Sequence, residues 1–282
     1  MRIAVFGASG FIGSHLVAAL QARGDEVRTG SMREPHAAAA AAGATDAVVN
    51  LAGEPIAQRW NGQVKQRIRE SRTTLPSKFF DALAHVDPKP QAYVSASAIG
   101  YYGTSEDASF TESSPPGMDF LAQVCVEWEN VAQRGRDYGM RVACVRNGLA
   151  LGRDGGVFAK IMPVFKTGTG GRLGTGKQWY SWIHIDDLVG IYILAIDRLA
   201  GAIDGTAPNP VRNKVFTEML AKALHRPAVL PVPNFALKMM LGEGAEMALQ
   251  GQRVLPERAQ AEGYIFKYPT LESAISNLLS QR

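Results

Sequence analysis

Short apolar runs alternate along this chain with stretches whose apolar residues recur at helical spacing. Arg2 to Phe6 is an almost unbroken apolar run, the pattern of a strand buried on both faces of a parallel sheet. It runs into Gly7-Ala8-Ser9-Gly10-Phe11-Ile12-Gly13, after which Ile12, Leu16 and Leu20 share one helical face and Gly24 is placed to stop the helix. A second strand is expected within Asp25 to Ser31, and the alanine-rich stretch 35–45 as a helix or compact linker. Buried-strand patterns recur at Ala47–Leu51, Ala92–Ser97, Arg141–Arg146 and Trp182–Ile185. Between them lie helical stretches at Asn61–His85, with Val64, Ile68, Leu75, Phe79 and Leu83 as its core stripe, and at Met118–Arg136. A further helix runs to Leu199, capped by Asp186 or Asp187.

Strands alternating with helices predict an α/β fold, a Rossmann-type doubly wound parallel sheet over 1–204. Residues 205–282 read as a small mixed α/β lobe. Its elements are a helix from Thr217, a short strand at Ala228–Val232, and helices at Asn234–Leu241 and Glu246–Gly251. Another helix over Pro256–Gly263, an extended Tyr264–Tyr268, and a last helix from a Thr270 cap to Leu279 complete it. The glycine-dense stretch 154–177, with a short helix around Phe158–Phe165, reads as a mobile loop contributing to that lobe.

The chemistry begins at the first turn. Strand, glycine turn and helix together form a dinucleotide site: Gly7 allows the tight turn, Gly10 lets backbone approach a pyrophosphate, and Gly13 lets helix and strand pack closely. The phosphates then meet the free N–H groups of Ser9, Gly10, Phe11 and Ile12 at the positive end of the helix. At the end of the second strand an acid would receive a ribose 2′-hydroxyl and an arginine would accommodate a 2′-phosphate. Here the chain reads Thr29-Gly30-Ser31-Met32-Arg33 with no acid before Glu34, so Ser31 and Arg33 favour NADP(H) over NAD(H). Leu51, Ala52 and Gly53 follow another strand with small residues that let a cofactor lie against backbone.

Composition narrows the function classes. The 282 residues are 46% hydrophobic and 20% charged, ordinary for a globular protein. The net charge of +4 comes from scattered basic residues without a Lys/Arg block, so nucleic acid is not an expected partner. No apolar run suits a membrane span and the start shows no signal-peptide pattern, so a cytoplasmic protein is expected. Cys125 and Cys144 read as reduced thiols, and no metal-ligand arrangement stands out.

Taken together, Gly7/Gly10/Gly13, Ser95-Ala96-Ser97 with Tyr101-Tyr102-Gly103, Arg146-Asn147-Gly148 and Trp182-Ile183-His184-Ile185-Asp186-Asp187 resemble an extended short-chain dehydrogenase/reductase. More narrowly, Asn50 to Pro55, Ser97 to Gly103, Trp128-Glu129 and Gly251 to Pro256 are similar to the atypical branch called the epimerase family (NAD-dependent epimerase/dehydratase-like), whose C-terminal domain has unknown function. The resemblance covers almost the whole chain and implies an extended Rossmann fold holding NADP(H). It would place the cofactor against the glycine loop, Ser31, Arg33, Leu51-Ala52, Arg72, the Ser95-Ala96 strand end and Leu149. The family's arginine after the second strand would fall at Met32, with Arg33 one place on. The helix over Met118–Arg136 is the usual dimer surface in that superfamily, which implies a homodimer.

Typical members of the superfamily carry a Tyr-x-x-x-Lys pair on this helix, where a lowered phenol pKa lets tyrosine shuttle a proton while a serine polarises the substrate oxygen. Ser97 fills the serine role, but Leu121 and Cys125 stand where the pair would be. Tyr101 and Tyr102, at the end of the strand that carries Ser97, are the substitute phenols. His184, between Ile183 and Ile185, reads as a satisfied core residue, Glu54 as a loop carboxylate, and Cys125 as a thiol without a local cation. Two functions follow: an NADP(H)-dependent oxidoreductase or epimerase with an unorthodox proton donor, acting on a small molecule of unknown identity, or a cofactor-binding sensor or scaffold without catalysis.

Overall fold

β1 (Arg2–Phe6) buries Ile3, Ala4, Val5 and Phe6 completely, and a strand apolar on both faces needs cover on both. The computed structural model describes residues 1–228 and 231–280 and supplies that cover. α1 (Phe11–Ala22) lays Leu16 and Leu20 against Ile3 and Val5. After β2 (Glu26–Gly30), α2 (Pro35–Ala42) sets Ala38, Ala39 and Ala42 against Ala4 and Phe6 on the other face. The chain then passes directly into β3 (Ala47–Asn50).

The single helical stretch expected over 61–85 is two helices, α3 (Gly62–Arg72) and α4 (Thr74–Leu83). Pro76 has no N–H to give the Arg72 carbonyl, so the helical ladder breaks at Thr73. β4 (Ala92–Ala98), the short β5 (Ser109–Phe110), α5 (Phe120–Gln133) and β6 (Arg141–Asn147) follow. Next come β7 (Leu149–Leu151), α6 (Gly156–Lys166), β8 (Trp179–Tyr180) and β9 (Trp182–His184), with β7 pairing with β9 outside the main sheet. α6 is longer than the helix expected there, and its Phe158 and Phe165 join the C-terminal core. α7 (Ile185–Asp197) and β10 (Gly201–Gly205) complete the first part.

The main sheet has six strands in the order β10–β6–β4–β3–β1–β2, all paired in parallel. This is the doubly wound Rossmann-type architecture expected from the strand pattern. Because β1 lies between β2 and β3, the winding reverses there and opens a crevice at the C-terminal ends of β1 and β3.

Beyond it, β11 (Val211–Arg212) pairs with β8, and α8 (Asn213–Ala223) begins before the expected Thr217. α9 (Asn234–Leu241), α10 (Glu246–Leu249), β12 (Arg253–Val254), α11 (Glu257–Ala261) and α12 (Leu271–Ser280) make up the mixed C-terminal part. The strand expected at 228–232 includes positions 229 and 230, which lie outside the described residues; Val232 bridges to Leu173. Trp60 fastens this part to the sheet: its backbone N–H donates to Leu241 O at 3.0 Å, and Gly244 packs on the indole, where a Cβ would stand 3.1 Å from Cδ1. Lys65 and Glu243 pair beside it at 2.7 Å. Among the described residues, no helix is long and apolar enough to cross a membrane.

Neither Asp186 nor Asp187 caps α7. His184 is the cap: its Nδ1 accepts from the Asp186 N–H at 3.1 Å, so the ring carries its proton on Nε2. Burial pushes the imidazole below its ordinary pKa, which keeps that acceptor in place. Asp187 instead receives the backbone N–H groups of Lys267 and Tyr268 at 2.8 and 2.9 Å, pinning the segment that was expected to be extended.

Candidate functional site

The crevice is built from backbone. Gly7 has φ +82°, and a Cβ there would stand 2.8 Å from Ala52 N. A Cβ at Gly13 would drive into the Gly7 carbonyl and lie 2.9 Å from Ala8 Cα, so only hydrogen lets α1 meet the loop. Gly10 differs: its φ is −76°, it is exposed, and a Cβ would meet only Gly7 O, at 3.2 Å. That single contact is tight but small against the open side of the turn, and the bare backbone leaves room for a ligand. No side chain caps α1, and no carboxylate stands in its first turn. The N–H groups of Phe11 and Ile12 thus retain the donor capacity of an uncapped helix start. Ser9 is exposed beside them, while the Ile12 side chain packs on the core.

Phe11 sends its ring the other way. A Cβ at Gly152, Gly155 or Gly156 would fall 2.6, 2.5 or 2.9 Å from one of its ring atoms, so three glycines form a socket for it at the start of α6. His15, one turn on, reaches Asp154 at 3.0 Å. Burial alone would raise the Asp154 pKa, but the hydrogen bond from His15 holds it below the ordinary carboxylate value.

At the second wall, Asn50 is fully buried, donates to the Tyr93 hydroxyl at 3.1 Å and accepts from Ala52 N at 3.1 Å. It sets the exit of β3 and was not singled out by sequence reasoning. Gly53 faces Arg72, whose guanidinium donates to Glu54 O and Ile68 O at 3.1 Å and lies 4.9 Å above the Trp128 ring. Arg72 therefore shapes the 52–54 loop from below. Met32 is buried against the α2 alanines, so the side chain at the family's arginine position points into the core. Arg33 is exposed and Ser31 accepts its N–H at 3.2 Å. Glu54 sits below its ordinary pKa because Gln58 hydrogen-bonds to it, with Arg67 and Arg33 adding positive charge. Arg33 and Arg67 thus both reach the same side of the crevice. Ser95 and Ala96 are buried in β4, the Ser95 hydroxyl donating to Ala96 O, and Leu149 is half-buried with its N–H on Ser181 O.

The candidate proton-bearing groups lie at the end of β4. Ser97 is buried and donates to Glu129 Oε1 at 2.7 Å. In this arrangement its proton is directed to Glu129. Glu129, on α5, grips Arg146 of β6 with two bonds of 2.8 Å. Arg146 donates to the Tyr102 hydroxyl at 2.9 Å, and Tyr102 donates to Asp204 of β10 at 2.8 Å. Tyr102 is 3% exposed, and burial together with the Asp204 charge pushes its pKa up. Held between Arg146 and Asp204 in this way, the phenol favours its protonated form. Burial and the nearby Glu112 push Asp204 well above the ordinary carboxylate value. Burial opposes the charge on Arg146, but Glu129 outweighs it and raises the guanidinium pKa.

Tyr101 is left. It is half-buried, its carbonyl accepts from Gly117 N at 2.8 Å, and the Arg146 guanidinium carbon lies 3.4 Å from its ring centroid. Leu121 and Cys125 pack beneath Gly100, where a Cβ would be 3.4 Å from Leu121 Cβ and 4.0 Å from Cys125 Sγ. Burial pushes the Cys125 thiol up to about 12, so it supplies no thiolate. Glu129 and Arg146 were legible only as motif letters, and Asp204 not at all, because the network draws on β4, α5, β6 and β10.

The model of the NAD dependent epimerase/dehydratase family matches residues 3–209, and that of a domain of unknown function, DUF1731, matches 232–278. An Arabidopsis thaliana relative, the chloroplastic homolog of epimerase family protein SDR39U1, is 43% identical over 99% of this chain and 87% of its own length. The crystal structure of human epimerase family protein SDR39U1 with NADPH superposes with a TM-score of 0.92 at 32% identity, covering 100% of both chains. A Thermus thermophilus UDP-glucose 4-epimerase solved with NAD, at 18% identity and a TM-score of 0.78, shares the fold. The chain belongs to the NAD dependent epimerase/dehydratase family, with the DUF1731 domain at its C-terminal end.

Proposed function

We propose that this protein binds NADP(H) in the β1–β3 crevice and reduces or oxidises a small carbonyl or hydroxyl compound above the end of β4. The observation that carries the nucleotide reading is Gly10, an exposed glycine at an uncapped helix start whose φ any residue adopts and where a Cβ would crowd only the Gly7 carbonyl. Gly7, Ser9, Gly10, Phe11, Ile12 and Gly13 would receive the pyrophosphate through backbone, with Leu51, Ala52 and Gly53 as the opposite wall. Ser31, Arg33 and Arg67 would take a 2′-phosphate, which favours NADP(H) over NAD(H); that the human relative was solved with NADPH supports this preference. When bound, the nicotinamide supplies or accepts a hydride. Tyr101, half-buried with its ring against the Arg146 guanidinium, is assigned the proton.

Calorimetric titration with NADPH, NADP⁺, NADH and NAD⁺ tests the first part. Micromolar binding of NADPH with weaker NADH is the expected result, and binding of none of the four removes the reading. NADPH consumption with benzil, a vicinal diketone, tests the second. A specific feature favours a second reading, a nucleotide-binding sensor: Leu121 and Cys125 fill the space of the usual proton relay. Tight NADPH binding without turnover of any carbonyl would establish it.

A further inference from the structure

A phenol that gives up a proton needs something to hold the charge it acquires. In the superfamily this chain resembles, a lysine on the same helix does so, and this chain has Cys125 there. The cation nearest the Tyr101 ring is instead Arg146, on β6, with its guanidinium carbon 3.4 Å from the ring centroid. Glu129 fixes that guanidinium through both oxygens, and Arg146 is 4% exposed, so its plane cannot swing away from the phenol. A cation against an aromatic face is attracted by the ring quadrupole, more strongly in a desolvated setting, and the attraction grows when the ring becomes a phenolate.

Resting on the oxidoreductase reading above, we propose that Arg146, clamped by Glu129, is the positioning residue that replaces the missing lysine: it orients Tyr101 and neutralises the phenolate left when the Tyr101 proton is transferred. In the reductive direction the carbonyl carbon gains the hydride that the nicotinamide supplies. The carbonyl oxygen takes the Tyr101 proton to become a hydroxyl, and the phenolate is reprotonated from water. One C–H and one O–H bond form on the substrate, while its carbonyl π bond, the C–H that gives up the hydride and the Tyr101 O–H break; the two electrons come with the hydride from the reduced nicotinamide.

The first test needs no nucleotide. Tetranitromethane attacks phenolate in preference to phenol, and nitrated tyrosines can be mapped by mass spectrometry on the full-length protein. Tyr101 should be nitrated faster than the buried Tyr93, Tyr102 and Tyr192, and its rate should fall about tenfold in Arg146→Lys, which keeps a charge but loses the planar stack. Glu129→Gln, which loosens the clamp while leaving an oxygen for Ser97, is the second variant and should slow the same site. An unchanged Tyr101 rate in a folded variant overturns the inference whatever the nucleotide titration gives.

The second test is a double-mutant cycle on NADPH-dependent benzil reduction. Tyr101→Phe should lower kcat about a hundredfold or more, and Arg146→Lys should lower kcat in the wild type but add nothing in the Tyr101→Phe background. Additive losses assign Arg146 a purely structural role and overturn the inference. Full turnover in Tyr101→Phe overturns it while leaving the oxidoreductase reading intact, whereas failure of the wild type to bind NADPH removes both.

Discussion

Gly10→Asp separates nucleotide binding from folding. The backbone at Gly10 (φ −76°, ψ 168°) is open to any residue, and a Cβ meets only Gly7 O, at 3.2 Å. An aspartate at a helix N-cap also accepts the free N–H groups of the first turn, which stabilises a helix by about a few tenths of a kcal/mol over glycine. The fold should therefore survive, and its melting temperature should hold or rise. The same carboxylate would occupy the donors that phosphate needs and add a like charge. Two unit charges about 4 Å apart at an effective dielectric of about 20 interact by about 4 kcal/mol, a loss of roughly a thousandfold in NADPH affinity. Calorimetry and thermal unfolding on the same preparation read both quantities. Unchanged NADPH affinity would refute the glycine-loop site, and collapse of the fold would refute the claim that Gly10 is free of structural duty.

Arg33→Ala should weaken NADPH by about tenfold, the value of about one charged hydrogen bond, and leave NADH unchanged; equal losses for both nucleotides would place Arg33 away from the 2′-phosphate. Asp204 holds its proton to a higher pH in the native state than in the unfolded chain, because burial and Glu112 disfavour its charge. Its contribution to stability is therefore full below the ordinary carboxylate pKa of about 3.9 and is lost as pH rises toward the native value. Asp204→Asn should accordingly gain in melting temperature relative to wild type as pH is raised from about 4 to about 8, and a difference independent of pH would contradict this. Trp60→Ala should cost about 3–5 kcal/mol in thermal unfolding and expose the 235–250 region to amide exchange; a loss under about 1 kcal/mol would show that the indole does not fasten the C-terminal part.

What the sequence disclosed was local. Arg2 to Gly13 announced strand, turn and helix because each step is written in adjacent side chains, and the buried strands at 47, 92 and 141 were legible for the same reason. The fates of Ser97 and Tyr102 were not, since each depends on a partner far along the chain: Glu129 for one, Asp204 for the other. The α7 cap was misread because a histidine acceptor outcompeted the two aspartates that follow it, and Asp187 was taken by backbone from 267 and 268. Pro76 was in view throughout, and its missing N–H could have divided the 61–85 stretch at Thr73.

The Phe11 socket joins two parts of the molecule by thermodynamic linkage. The Phe11 backbone belongs to the turn proposed to receive phosphate, while its ring is held by Gly152, Gly155 and Gly156 at the root of α6. An anion that fixes the turn also fixes the ring, so part of its binding free energy goes into ordering α6. Linkage is reciprocal: a molecule that settles on α6 must tighten the nucleotide by the same factor by which the nucleotide tightens it. The strength of that coupling would then be a property of one aromatic ring and three missing methyl groups.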